Sequence, residues 1–113
     1  MTDLEELQQY FEEYQQRFGL NGYRVYFKYD DSEKTFACIS RNHYTGTATV
    51  FLNDKLPEKD LPFKNIKRSA KHEAIHLLLT RMEYLANDRH ASADEIYAAE
   101  EELVHKLECL IPD

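Results

Sequence analysis

The sequence predicts a single α+β domain, spanning residues 1–113, in which helices pack against one layer of sheet. Helical spacing of apolar residues at both ends and strict apolar–polar alternation after residue 22 support this fold class. A chain of 113 residues is long enough for one modest core. The expected element order is α-β-β-β-α-α, and the short connections favour a three-stranded, mostly antiparallel meander.

The first predicted helix begins with a capping box, in which Thr2 is followed three residues later by Glu5. Gly19 occupies the position expected of a C-terminal cap. Between these two ends, apolar residues recur at helical spacing, namely Leu4, Leu7, Phe11, Tyr14 and Phe18. This pattern indicates a helix that packs on the core, and it offers no candidate catalytic residue.

Three strands are expected to follow, over residues 23–29, about 34–41 and 47–52. A surface loop is predicted over residues 53–60, and a long buried helix from about residue 61 to about residue 84. Ser92 and Glu95 form a second capping box for a last helix that ends near Leu110.

Charge and composition narrow the possible partners and the location of the chain. The net charge is −7 and the pI is near 5.2, which argues against nucleic acid or an anionic membrane as the main partner. The N-terminus is acidic and lacks an apolar leader, and no apolar run reaches transmembrane length. Cys38 and Cys109 form no C-x-x-C pair. We therefore expect a cytoplasmic protein with two free thiols, neither needed as a metal ligand.

Residues His72-Glu73-Ala74-Ile75-His76 match H-E-x-x-H inside the predicted long helix. Residues i and i+4 lie on one helix face, so both imidazoles can bind one Zn²⁺. Two histidines on a buried helix are costly without a shared partner, which favours a metal over two core histidines. Glu73 follows the first ligand and can act as general base on water at an open zinc position.

The third protein ligand must come from outside the motif. Leu79 and Met82 stand where the metzincin pattern requires Gly and His, so that class is excluded. His90 lies in the connector before the last helix and could coordinate if the loop folds back. The alternative interpretation of His90 is an exposed loop histidine.

The last predicted helix offers three consecutive carboxylates, Glu100, Glu101 and Glu102. At about 100° per residue, Glu102 falls on the far side from the apolar arc and is expected in solvent. Glu100 falls near the centre of that arc and Glu101 just beyond its flank. Periodicity therefore leaves both as candidate ligands and leans slightly to Glu100.

With H-E-x-x-H on one helix and a glutamate on the next, the chain resembles the gluzincin class of zinc metallopeptidases. Its size and element order are similar to those of minimal single-domain gluzincins and of short phage-encoded proteins assigned as metallopeptidases. The last helix resembles their E-x-x-V-x-x-L pattern through Glu101, Val104 and Leu107. The resemblance implies a zincin-like fold and a peptide or protein substrate.

The resemblance also implies Zn²⁺ held by His72, His76 and Glu101, with Glu73 as the catalytic base. The third strand, 47–52, would then edge the cleft and pair with an extended peptide. One departure is His105, which stands four residues after Glu101 where the family has an aspartate. The motif fixes no further donor for the oxyanion, and the nearby candidates are Tyr84, Arg89, His90 and Tyr97.

Two other interpretations remain open at the sequence level. The chain could be a catalytically silent zinc-binding domain that acts in protein–protein recognition, or an ordinary α+β domain with an accidental motif. Substitution of Glu73 separates the first of these from a hydrolase, because only a hydrolase would lose turnover while keeping its metal. Stoichiometric zinc binding separates both zinc interpretations from the accidental one.

Overall fold

Three strands and four α-helices make up the part of the chain that the computed structural model describes, residues 1–31 and 35–110. The predicted α+β class is confirmed. In chain order the elements are α1 (Asp3–Arg17), β1 (Arg24–Tyr29), β2 (Ala37–Asn42), β3 (Thr47–Leu52), a 3₁₀ helix (Glu58–Phe63), α2 (Ile66–Leu78), α3 (Thr80–Asn87) and α4 (Ala93–Glu108). The predicted start of the second strand, near residue 34, lies outside the described residues.

The first helix forms as its capping box predicts. Thr2 Oγ1 accepts the Glu5 N–H at 3.1 Å, and Glu5 Oε1 accepts the Thr2 N–H at 3.4 Å. Leu7 and Phe11 are fully buried on the inner face of the helix. The helix ends before Gly19, whose φ of 70° is one that glycine adopts without strain.

The strand order is β1-β3-β2, so the predicted mostly antiparallel meander is wrong. β2 and β3 form an antiparallel hairpin, whereas β1 pairs with β3 in parallel. In this register Val25 lies beside Ala48 and Phe27 beside Val50, which aligns the inward faces of the two strands. Apolar alternation marks each inward face but carries no information about which strand lies beside which.

As the central strand, β3 supplies the middle of the core. Its alternate residues Ala48, Val50 and Leu52 are buried on one face, as predicted. The α1 and α2 helices cover that face, and the buried residues that they contribute to the cluster are Leu7, Phe11, Ile66, Ala70, Ala74, Leu77 and Leu78. This packing holds α2 against the sheet, near β2.

The predicted long helix over residues 61–84 is wrong, because the segment forms three separate helices. The 3₁₀ helix contains Pro62, and α2 begins only after Asn65, whose side chain accepts the Arg68 N–H at 3.0 Å. At the other end, Thr80 Oγ1 donates to the Leu77 carbonyl at 2.7 Å where α2 gives way to α3. The Ser92 capping box of α4 forms as predicted. No helix within the described ranges is long and apolar enough to cross a membrane.

Candidate functional site

The two motif histidines project from the same face of α2, as their spacing predicts. Their Nε2 atoms lie 3.2 Å apart and their ring centroids 4.9 Å apart. A tetrahedral Zn²⁺ with Zn–N bonds of about 2.0–2.1 Å requires two nitrogen donors about 3.3–3.4 Å apart. The separation of the two imidazole nitrogens is therefore close to that of two donors on a single zinc ion.

Glu73 lies beside this pair and is buried, with 5% of its surface exposed. Burial raises the pKa of its carboxyl group above the ordinary value, while the nearby positive charges of His76, His72 and Arg41 lower that pKa and partly oppose the effect. A carboxylate with a raised pKa is a stronger proton acceptor than an exposed one. Its environment is therefore not that of an ordinary surface glutamate.

The motif side chains face the edge strand β2 across a cavity of about 280 Å³. The cavity is lined by Thr35, Ala37, Cys38, Ile39, Arg41, His72, Glu73 and His76. The prediction that residues 47–52 edge the cleft is wrong, because β3 has a partner strand on each side. The strand beside the motif is β2, whose outer edge pairs with no strand in the described part of the chain.

Arg41 is a site residue that the sequence interpretation missed. Its Nη1 donates to the His76 carbonyl oxygen at 2.6 Å, and its Nη2 forms an ion pair with the Glu83 carboxylate. The available signal was the position of Arg41 in the strand: it lies two residues after Ile39, on the same face of β2, and pairs with the buried Ala48. A charged residue on the inward face of a strand needs a polar partner, and here that partner belongs to the motif helix.

Two further cavities adjoin the motif cavity along β2. One, of about 310 Å³, extends towards Phe63 and shares His72 and Glu73 with it. The other, of about 570 Å³, extends towards α3 and shares Ile39 and Arg41 with it. Together they form a groove that follows the β2 edge, and the motif lies near its middle.

The predicted third ligand is placed apart from the histidine pair. Glu101 is partly exposed on α4, where its Oε2 lies 3.7 Å from His105 Nε2. Across residues 1–31 and 35–110, no group of three or more His, Cys, Asp or Glu side chains has metal-binding geometry. The structure thus brings His72, Glu73 and His76 together without adding Glu101 to them.

The two glutamates that flank Glu101 in the sequence are both exposed. Glu100 is exposed, and Glu102 accepts a hydrogen bond from Arg81 Nη1 at 2.5 Å on the surface. His90 is exposed in the connector, where its Nε2 accepts from Arg89 Nε at 3.4 Å. Among the oxyanion candidates from the sequence, Tyr97 is 63% exposed. Tyr84 lines the 570 Å³ cavity beside the motif cavity.

Comparisons with protein-family models, with curated protein sequences and with solved structures found no significant match. The resemblance to the gluzincin class accordingly rests on the motif residues of the chain.

Proposed function

We propose that this protein is a zinc-dependent metallopeptidase that hydrolyses peptide bonds in the groove between α2 and β2. One observation carries the proposal: the Nε2 atoms of His72 and His76 lie 3.2 Å apart, beside the buried carboxylate of Glu73, in one cavity. This combination provides two zinc donors and a potential base in contact with a shared space.

Zinc would be held by His72 and His76, with Glu101 proposed as the third ligand. When bound, the ion supplies a Lewis acid that polarises a peptide carbonyl and makes water more acidic. The two imidazole nitrogens fit this ion by spacing and by chemistry. Ligation by Glu101 would require a change in its side chain or in α4, since its present neighbour is His105.

Glu73 is proposed as the general base and, later, as the general acid. Its carboxylate would accept a proton from the attacking water, hold it, and donate it to the leaving amine. The burial that raises its pKa supports both steps, because a base with a pKa closer to neutrality can accept and release the same proton.

The β2 edge offers a place for an extended peptide. Asn53 N donates to Phe36 O at 2.8 Å, and bonded and non-bonded pairs alternate in an antiparallel ladder. The backbone groups of Ala37, Ile39 and Arg41 therefore point away from β3. They can hydrogen-bond to a substrate strand by β-augmentation, which would lay the scissile bond beside the motif.

The direct test combines metal content with peptide cleavage. We expect about one zinc per chain in the wild type and loss of that zinc in His76→Ala. Glu73→Gln should keep the metal and lose about 10²-fold or more of the cleavage rate against a peptide library read by mass spectrometry. Glu13→Gln, on the exposed face of α1, is the matched control and should behave as wild type. Zinc retained with an unchanged cleavage rate in Glu73→Gln would contradict the assigned role.

A second candidate is a zinc-binding domain that recognises protein strands without cleaving them. The open β2 edge favours it, since strand addition needs no catalytic group. In that case Glu73→Gln would leave peptide affinity unchanged and no peptide would be cleaved by either protein. Absence of zinc after reconstitution would exclude both candidates.

A further inference from the structure

The largest of the three groove cavities, about 570 Å³, has no role in the chemistry described above. It lies between the β2–β3 hairpin and α3, at one end of the groove. Its lining residues are Ile39, Arg41, His43, Tyr44, Thr80, Glu83, Tyr84, Asn87 and Asp88. This volume is large enough to hold one long side chain.

Aromatic rings form one wall of this cavity. The His43 ring stacks on Tyr84 with centroids 4.7 Å apart, and Tyr44 meets Tyr84 edge-on at 4.9 Å. The two tyrosine hydroxyls also hydrogen-bond to each other. Tyr44 nevertheless remains 80% exposed, which leaves a ring face free for contact. The negative faces of such rings attract cations, including the ammonium and guanidinium groups of side chains.

The charges around the cavity favour the same kind of group. Arg41 and Glu83 neutralise each other as an ion pair. Asp88 accepts the His90 backbone N–H through Oδ1 at 2.9 Å, and within residues 1–31 and 35–110 it forms no ion pair. Its carboxylate therefore has no paired cation in the described part of the chain.

Two carboxylates near Tyr84 also act on its hydroxyl group. The pKa of Tyr84 is raised to about 12, chiefly by the hydrogen bond with Tyr44 and then by burial, with smaller contributions from Tyr44 when it is ionised and from the negative charges of Asp88 and Glu95. A negative potential that disfavours a phenolate also favours a bound cation. The net charge of the chain, −7, has the same sign.

The cavity is connected to the motif through shared walls. Ile39 and Arg41 line both it and the motif cavity, and both residues belong to the β2 edge. A peptide added along that edge would therefore carry a nearby side chain into the aromatic cavity. The geometry points to a subsite that selects a lysine or arginine side chain of the peptide. This inference rests on the proposed function, because it takes a peptide to lie along β2.

The test measures binding and does not depend on cleavage. Zinc-supplemented Glu73→Gln protein is titrated by calorimetry with two capped hexapeptides, identical except for lysine or norleucine at one central position. Norleucine keeps the alkyl chain and removes the charge. We expect the lysine peptide to bind about tenfold more tightly, the order expected of one cation on an aromatic face beside a carboxylate.

Added Asp88→Asn or Tyr84→Leu substitutions should reduce this preference to near parity. Asp94→Asn, on the exposed first turn of α4, is the matched control and should keep it. Equal affinities for the two peptides, no binding of either, or a preference that survives Asp88→Asn would overturn the subsite. Cleavage by the wild type without a lysine preference would support the peptidase proposal and reject the subsite. A lysine preference without cleavage or zinc binding would support the subsite and reject the peptidase proposal.

Discussion

Arg41, on the edge strand β2, donates a hydrogen bond from Nη1 to the backbone carbonyl of His76, 35 residues away, at 2.6 Å. The same guanidinium group forms an ion pair with Glu83 on α3. One side chain thus fixes the motif helix, the following helix and the edge of the groove relative to one another.

Replacement of Arg41 by methionine should therefore destabilise the protein while keeping most of its apolar stem. A hydrogen bond from a charged group contributes about 1.5–3 kcal/mol, and the Arg41 side chain is only 17% exposed. We expect Arg41→Met to lower the free energy of unfolding by about that amount, measured by urea denaturation. The groove should also widen, so peptide binding should weaken.

Glu83→Gln supplies the matched control for this prediction. It removes the ion pair but keeps the hydrogen bond to His76, and the Glu83 side chain is 53% exposed. Exposed ion pairs contribute about 0–1 kcal/mol, so the loss should stay below about 1 kcal/mol. Equal losses in the two variants would show that the contact with the His76 carbonyl contributes little.

Local signals in the sequence were sufficient for the ends of α1, the start of α4 and the bounds of β3. Thr2, Glu5 and Gly19 define α1 through contacts within a few residues, and such contacts can be read from spacing alone. The alternation over 47–52 predicted β3 with the observed ends. The strand order could not be predicted in this way. The pairing of β1 with β3 joins residues 23 positions apart, and the alternating pattern is similar in the strands, so it does not show which strands are neighbours.

The candidate site likewise has some features that local sequence predicts and others that depend on tertiary contacts. The relation between His72, Glu73 and His76 follows from helix geometry, so the sequence predicted it. The break between α2 and α3 has no glycine or proline to mark it and depends on hydrogen bonds of Thr80. The role of Arg41 depends on a contact between a strand and a helix that only tertiary packing creates.

Zinc should stabilise the folded protein if the histidine pair binds it. A ligand that binds only the native state at 100 times its Kd adds about 2.7 kcal/mol to the free energy of unfolding. We expect a corresponding rise in Tm for wild type on moving from chelator to zinc, and none for His72→Ala or His76→Ala. A rise of the same size in those variants would place the bound zinc elsewhere on the chain.

The choice of third ligand is tested on α4 by two neighbouring substitutions. If Glu101 completes the zinc site, Glu101→Ala should weaken zinc binding by at least about tenfold, because one of three protein ligands is lost. Glu100→Ala removes an exposed carboxylate from the same helix and should leave the affinity unchanged. Competition with a coloured chelator measures both. A larger effect of Glu100→Ala would favour Glu100 as the third ligand, which is the residue that helical periodicity slightly prefers.

His43 carries a buried atom without a partner, since no group in the described part of the chain hydrogen-bonds to its Nδ1. An unsatisfied buried polar atom costs about 1–3 kcal/mol. Phenylalanine has a similar shape and can keep the stack on Tyr84, so His43→Phe should raise the free energy of unfolding by about that amount. His43→Ala, which loses the stack as well, should lower it. A loss in both variants would show that Nδ1 has a partner in solution, such as a water molecule.

The capping box of α4 should make stability depend on pH at the acidic end. Glu95 Oε1 accepts the Ser92 backbone N–H at 3.1 Å, and its hydrogen bonds to the Ser92 backbone and side chain hold the pKa of Glu95 below its ordinary value of 4.5. A carboxyl group whose pKa is lower in the folded state stabilises the protein above its ordinary pKa. That stabilisation is lost as the pH falls through the lowered value.

Glu95→Gln should therefore be less stable than wild type at pH 7, because glutamine offers the same hydrogen bond without a charge near the helix N-terminus. The difference should shrink as the pH falls below 4.5 and vanish once Glu95 is protonated. Urea denaturation of both proteins at several pH values between 2 and 7 measures the difference. If the difference in the free energy of unfolding stays constant down to pH 2, the charge of Glu95 does not contribute. The capping box then stabilises α4 through its neutral hydrogen bonds.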